Sequence, residues 1–392
     1  MKGGSALQDF IYELKNFTKK GDMVLLLLCL VTSALGIVCI ASATSAAKFE
    51  GNARYIILQI AATLMGVLLF AIMSSLDLET MSEYRNVLVA FNVCLLMMLV
   101  PFGTDNGSGN RSWLDIPGVP FMIQPAEICK ITYIVIMASV MKSHQNRISH
   151  PTSVIHMVFQ LGILVGLNMI LSRDAGVSLI FVFIFIGMAF AGGVSLIWFG
   201  IAIGGIAVAF PILWQFLGTY QRNRILILFD SSIDPLGINE GYHYKINLLS
   251  LTGGGLTGQG LFNGTRTQGG NLFAQHTDYI FSSIGEELGF FGCVLILILE
   301  FAIVARCIYV AIKTPDYSRR LVCFCAASAL IFQVMINVGM CIGVMPVIGL
   351  TLPFISYGAS SVVTIYGMLG LVSGSFARPQ SQSHERYIQP YR

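Results

Sequence analysis

Ten stretches of this chain are apolar for about the length of a bilayer crossing: 23–43, 55–74, 87–102, 122–141, 154–171, 175–191, 195–216, 284–312, 319–344 and 355–376. A helix needs about 20 such residues to cross the hydrocarbon core, where backbone polar groups must be satisfied within the segment itself. Only 11% of the residues are charged and 55% are hydrophobic, whereas soluble domains carry roughly a quarter charged residues. The expected fold is an all-α polytopic membrane protein with ten transmembrane helices over 23–376. A polar segment, 1–22, precedes them, and a polar, proline-containing tail, 377–392, follows. Ala41-Ser42-Ala43 has the small-residue pattern of a cleavage site, but the run before it is long for a signal sequence, so the first span reads as uncleaved. A net charge of +3, with no basic face interleaved with aromatics, excludes nucleic acid as a partner.

The charges orient the spans. An even number of crossings puts both termini on one side. The termini and loops on that side hold fourteen Lys and Arg residues, among them Lys19, Lys20, Lys142, Arg147, Arg319 and Arg320. The short loops opposite hold four: Lys48, Arg54, Arg111 and Arg173. The positive-inside rule then places both termini in the cytoplasm and the long segment 217–283, between helices 7 and 8, outside the cell membrane.

Other patterns are less telling. The nine cysteines sit mostly inside apolar runs and read as small hydrophobes. Cys323 and Cys325 lack the histidines or second pair of a zinc site. Gly162/Gly166, Gly200/Gly204 and Gly339/Gly343 have the spacing of close helix packing. No strong internal repeat supports an inverted-repeat transporter.

Ionisable groups within a membrane are expensive and mark candidate sites. Glu127 and Lys130 are three residues apart after Gln124-Pro125, so they share a helix face; they read either as a structural ion pair or as a cation turned to a polar cavity for an anionic lipid headgroup. Arg173-Asp174 sits at a tight turn. Glu286-Glu287 stands at the mouth of the eighth span, where both cannot face lipid. The 217–283 segment carries Arg222, Arg224 and the glycine-rich run 253–260, which suits tight turns and close backbone approach to a ligand. It closes on Gln275-His276-Thr277-Asp278-Tyr279 just before an apolar span. Asp278 reads in two ways: a general base toward a sugar hydroxyl, its pKa raised by partial burial, or the N-cap of the following helix. His276 reads as its hydrogen-bonded neighbour. No metal-ligand motif is present.

These motifs together resemble the FtsW/RodA/SpoVE (SEDS) family of peptidoglycan glycosyltransferases. The similarity covers about residues 22–378 and rests on GNRSWLDIPGVPFMIQPAEICK (109–130), Tyr220-Gln221 with Arg222 and Arg224, EGYHYKI (240–246), QHTDYIFSSIGEELGF (275–290) and NVGMCIGVMPVIGLTLPFISYGASS (337–361). The resemblance implies ten helices with cytoplasmic termini and a large outer loop between helices 7 and 8. It places the essential acid on Asp278, and further conserved positions on Trp113, Gln124, Pro125, Glu127, Lys130 and Asp174. The sequence departs from the family pattern at Ala126, usually serine, at Arg173, usually proline, and at Ala359, usually glycine. Phe273-Ala274 also stand where Pro-Glu is expected.

The implied reaction joins lipid II to a glycan on undecaprenyl pyrophosphate through a β-1,4 linkage, during elongation, division or sporulation. Asp278 would take the acceptor proton. Lys130, Arg222 and Arg224 would steady the pyrophosphate, Trp113 would stack on a sugar or pack at the lipid boundary, and His276 and Glu286 would support the site. A divalent cation could share the charge, with no dedicated ligand set in the chain. The implied partner is a class B penicillin-binding protein at helices 8 and 9. Two rival readings are a flippase of lipid-linked precursors and a non-catalytic scaffold.

Overall fold

The computed structural model describes residues 21–46, 49, 53–105, 110–115, 122–216, 218–229 and 240–378. The segment ahead of the first helix and the tail after the last lie almost wholly outside these residues. Fifteen helices are described: α1 (Met23–Ala43), α2 (Arg54–Ser75), α3 (Leu78–Glu83), α4 (Arg85–Met97), α5 (Leu99–Phe102), α6 (Pro125–Ser143), α7 (Pro151–Leu171), α8 (Ala175–Ala191), α9 (Leu196–Phe216), α10 (Thr219–Leu226), α11 (Glu240–Gly253), α12 (Thr265–Gln268), α13 (Ile280–Lys313), α14 (Tyr317–Ile342) and α15 (Ala359–Ala377). Two short strands, β1 (Gly103–Thr104) and β2 (Trp113–Leu114), pair antiparallel between α5 and α6.

Among the described residues, seven helical stretches are long and apolar enough to cross a membrane: α1, α2, Arg85–Phe102, α7, α13, α14 and α15. The apolar helices α8 and α9 are shorter in their hydrophobic length, and α6 carries Glu127, Lys130 and Lys142. The protein is thus an integral membrane protein whose described residues are mainly helical. α14 and α15 form its buried centre, whereas α9 exposes most of its large apolar side chains. Eight of the nine cysteines are buried as small hydrophobes, and Cys94 is exposed.

A close helix crossing joins α2 to α15. A Cβ on Gly370 would stand 2.6 Å from the Phe70 carbonyl oxygen, and one on Gly374 would stand 2.9 Å from that of Ser74. Ser74 and Ser373 hydroxyls meet at 2.9 Å in the same seam. Gly370 and Gly374 are four apart, so this is the small-residue pair that brings two backbones together. The pairs expected to do so from spacing alone do not. Gly162, Gly166, Gly200 and Gly204 have no atom within 4 Å of where a Cβ would stand. Gly343 is instead the left-handed C-cap of α14, at φ 77°. Gly370→Val is therefore expected to destabilise the protein by about 1–3 kcal/mol, read as a lower midpoint of thermal unfolding in detergent, while Gly200→Val leaves that midpoint nearly unchanged.

The segment expected as an outer loop holds three helices, α10 to α12. Its glycine-rich run meets the chain's own backbone. α13 breaks at Gly289, whose φ of 68° and ψ of −165° no helix contains. The break frees carbonyls before it and N–H groups after it. Gln259 N and Gly260 N donate to the Glu286 and Glu287 carbonyls, each at 2.9 Å, and Phe290 N and Phe291 N donate to Gly255 and Leu256. A side chain at Gly254 would strike the Gly285 carbonyl, so glycine is required there by close approach. The long apolar rod of α13 thus begins at about Phe290, and 280–288 is a separate short helix of about two and a half turns ahead of it.

Candidate active site

Residues 276–278 form a short strap whose three carbonyls are each held. His276 accepts from Tyr357 N at 2.8 Å, Thr277 from Ser356 Oγ at 2.7 Å, and Asp278 from Asn337 Nδ2 at 2.8 Å. The same Asn337 amide donates to Leu350 at 2.7 Å, tying the strap to the segment between α14 and α15. The N-cap of α13 is Tyr279, with no side-chain capping bond. The cap reading of Asp278 therefore fails, because the helix starts one residue too late for its carboxylate to serve. The Asp278 side chain is half-buried against the backbone of Gly349, with Oδ2 3.4 Å from the position of a Cβ there. Burial and then the Asp174 charge push its carboxyl up to about 6, partly offset by the Thr277 hydroxyl.

Asp174 is the N-cap of α8, accepting from Val177 N at 3.1 Å. Gln124 Nε2 donates to its other oxygen at 3.0 Å. Burial raises its pKa above the usual carboxylate value, and the Glu127 charge adds to that. Arg173, just before it, has a φ of 58°, a left-handed conformation that proline, fixed near −65°, cannot take. Glu127 in turn lies 2.6 Å from Lys130 Nζ, both side chains almost fully buried. Thr364 Oγ1 donates to Glu127 at 2.8 Å. Among the described residues Lys130 Nζ has no hydrogen-bond acceptor beyond this ion pair, so two of its three N–H directions stay unused.

The geometry gathers more than the charged residues. Gln124 precedes α6, Asp174 caps α8, and Ser360, whose hydroxyl accepts from Gln124 N at 3.3 Å, opens α15. Three helix N-termini therefore converge where Lys130 and the acids meet, and each carries partial positive charge. This convergence was not legible from spacing, since it joins parts of the chain more than 200 residues apart. Trp113, half-buried on β2, pairs with Thr104.

Other expected site residues stand elsewhere. Arg222 donates to the Gln215 carbonyl at 2.8 Å, at the end of α9, and no bond among the described residues ties it to Lys130 or Asp278. The Arg224 side chain, like Asp230 and Asp234, lies outside the described part. Glu286 and its neighbour Glu287 are both buried, facing protein. Glu286 accepts from Arg266 N at 3.0 Å and from Thr267 N and Oγ1 at 2.8 and 2.7 Å, so it holds the start of α12 rather than the reacting centre. Glu287 accepts from Ser42 Oγ and from Gln268 Nε2. Glu286→Ala strands two buried N–H groups and is expected to cost about 3–5 kcal/mol, seen as a fall in thermal stability that Glu286→Gln partly restores. Glu300, about three turns below the Gly289 break, is fully buried with neither carboxyl oxygen bonded among the described residues. Among those residues no three His, Cys, Asp or Glu side chains gather as a metal site.

Fold and site together define a polytopic helical membrane protein with a lysine and three carboxylates set among helix N-termini. The sequence model of the FtsW/RodA/SpoVE family, described as "Cell cycle protein", matches residues 22–377, and the chain belongs to that family. It is 32% identical over 358 residues to a probable peptidoglycan glycosyltransferase FtsW of Thiomicrospira cyclica, covering 90% of each chain. It is 30% identical over 311 residues to the peptidoglycan glycosyltransferase MrdB of Escherichia coli, covering 79% of this chain and 82% of that one. Among solved structures it resembles a chain from a peptidoglycan synthase complex studied for its coordination of polymerization and crosslinking, with TM-score 0.75, 29% identity, and 94% and 99% of the two chains covered. It also resembles the rod shape determining protein RodA of Thermus thermophilus, with TM-score 0.67, 26% identity, and 91% and 96% covered.

Proposed function

We propose that this chain is a peptidoglycan glycosyltransferase that polymerises lipid II, with Asp278 as its general base. One observation carries the assignment: the Asp278 carboxyl, partly buried against Gly349 and raised to about 6 by burial and by Asp174, is joined through Asp174 and Glu127 to a buried lysine that has unused N–H directions. Asp278 takes the proton from the 4-hydroxyl of the acceptor sugar as that oxygen attacks the donor's anomeric carbon. The bond from that carbon to the pyrophosphate breaks, and the α-linked donor becomes a β-1,4 linkage. The undecaprenyl pyrophosphate leaves with growing negative charge. Lys130 and the N-termini of α6, α8 and α15 are aimed at that charge, fixed in place before the reaction starts. Glu127 anchors the lysine, and burial, with the Asp174 charge beside it, keeps the Asp278 carboxyl basic enough to accept a proton near neutral pH. Both lipid tails remain in the bilayer, which confines the reactants.

The ten apolar runs then form ten spans with both termini in the cytoplasm, and α10 to α12 form an outer domain over the site. The polar ends of α3, α6 and α14 support that orientation: Arg319 pairs with Asp77 at 2.7 Å, and Lys142 lies within 4 Å of Glu79 and Asp316. A class B penicillin-binding protein is the partner, in keeping with a relative that belongs to a synthase complex, and its docking face is the one we assign to α13 and α14. α13 turns Phe290, Phe291, Leu295, Ile298 and Phe301 outward, an apolar face fit for a partner's single span or for lipid. The test is the purified protein with labelled lipid II, alone and with that partner. Polymer that disappears with Asp278→Ala supports the enzyme. Headgroup translocation across liposomes without polymer means a flippase, and inactivity toward both with retained partner binding means a scaffold.

A further inference from the structure

Four aromatic rings from separate stretches of the chain meet beside the strap that carries Asp278. Phe49 lies between α1 and α2, Tyr55 opens α2, His276 is on the strap, and Tyr357 leads into α15. His276 has ring centroids 5.0 Å from Phe49, 5.1 Å from Tyr55 and 5.6 Å from Tyr357. Tyr55 is 5.6 Å from Phe49 and 5.2 Å from Tyr357, both edge to face. All four are partly exposed. Tyr55 and Tyr357 rest their inner sides on an apolar cluster that contains Tyr279, Ile280, Leu352 and Ile355. Two of the rings are thus packed from one side while all four keep part of their surface exposed, and the Tyr357 N–H bond to the His276 carbonyl fixes the group to the backbone two residues before Asp278.

We propose that Phe49, Tyr55, His276 and Tyr357 form a platform for a pyranose ring of the lipid-carried substrate. The inference rests on the polymerase reading and adds to it the surface that recognises the sugar. A pyranose presents C–H groups on its faces and hydroxyls at its edge. The C–H groups carry partial positive charge and lie well on the negative face of an aromatic ring. The hydroxyls need donors and acceptors at the same place, which the two phenols supply. A membrane anchor needs neither convergence nor a polar centre: single Tyr or Trp side chains spaced along the lipid boundary suffice. Here an imidazole is the hub of the cluster. The sugar it holds is the acceptor, because the neighbouring carboxylate acts on the acceptor's hydroxyl.

The test is equilibrium binding to the full chain in nanodiscs, in an Asp278→Asn background so that no turnover occurs. The probes are lipid II and a prenyl pyrophosphate without sugar. Tyr55→Leu and Tyr357→Leu remove a ring but keep apolar bulk; Tyr55→Phe and Tyr357→Phe keep the ring. The Leu variants should bind lipid II about three- to tenfold more weakly, bind the sugar-free lipid unchanged, and melt where the parent does. The Phe variants should stay within about twofold of the parent, a smaller effect than loss of the stacking face. Equal weakening toward both lipids would mean a membrane anchor or a structural cluster and would overturn the platform. So would Leu variants that bind lipid II as the parent does while the chain with an intact Asp278 still polymerises it, a result that leaves the polymerase reading standing. Failure of the parent to bind either lipid would overturn both.

Discussion

Asp278→Asn is expected to lower polymerisation by about 10²–10⁴-fold, the usual worth of a positioned general base, while the protein stays folded. The substitution spares the fold because the carboxylate caps no helix; the strap is held through its carbonyls. The pH dependence follows from the same environment. With the carboxyl at about 6 rather than 3.8, the base form is scarce below pH 6. The rate should therefore rise about tenfold per pH unit below that point and level off above it, and the Asn variant should lose this limb. Stability moves in the opposite sense. The folded chain keeps this proton to higher pH than the unfolded chain, so the contribution is complete below about pH 4 and is lost as the pH climbs through 6. Asp278→Asn should then be more stable than the parent at pH 8, by about 1–2 kcal/mol after allowance for solvent screening, and equal to it at pH 4. Thermal unfolding at the two pH values, set beside a polymerisation profile from pH 5 to 8, reads both effects. A variant with full activity, or a parent whose rate is flat across that range, would remove Asp278 from the chemistry.

Apolar run length is a local property, and it read well: each of the ten runs coincides with helix, α4 and α5 together making the third. Properties that depend on which surfaces meet read poorly. Gly200 and Gly204 have the same spacing as Gly370 and Gly374, yet only the second pair touches another backbone, because spacing gives a helix face and not its neighbour. The run 253–260 was legible as close backbone approach, but its target is the break at Gly289. That break is invisible in the sequence, because nothing local marks which of its 40 glycines takes a positive φ inside a helix. Glu286 and Asp278 looked alike, acids near the mouth of one span; the difference is that the first meets the N–H groups of α12. Glu300 passed unnoticed because a single acid inside a long apolar run barely changes its hydropathy. Of the site, Lys130 with Glu127 was readable from a three-residue interval on a helix, and Asp278 from its place before a span. The convergence of three helix N-termini and the aromatic hub at His276 needed the fold.

Lys130 separates two roles that one substitution would confuse, since its ion pair with Glu127 is both a structural contact and a candidate catalytic cation. Lys130→Met leaves the Glu127 carboxylate buried with the Thr364 hydroxyl as its named remaining donor, and close to Asp174. Breaking a buried pair in this way is expected to cost about 3–5 kcal/mol, so lost activity in that variant alone says nothing of mechanism. Glu127→Gln with Lys130→Met removes both charges at once. A neutral pair of similar volume is often as stable as the ion pair it replaces, so the double variant should recover most of the thermal stability. Activity should not recover. The leaving pyrophosphate would still lack the cation aimed at it, a loss of about 10²–10³-fold. Lys130→Arg should fall between, because a rigid planar fork cannot occupy the space of a compact ammonium already 2.6 Å from its partner. The decisive comparison is polymerisation by the double variant with the penicillin-binding partner present, at a temperature where the variant is folded. Restored stability without restored polymer assigns the ammonium to the transition state. Restored polymer would make Lys130 no more than the counter-ion that Glu127 requires, and would leave the helix N-termini to meet the pyrophosphate alone.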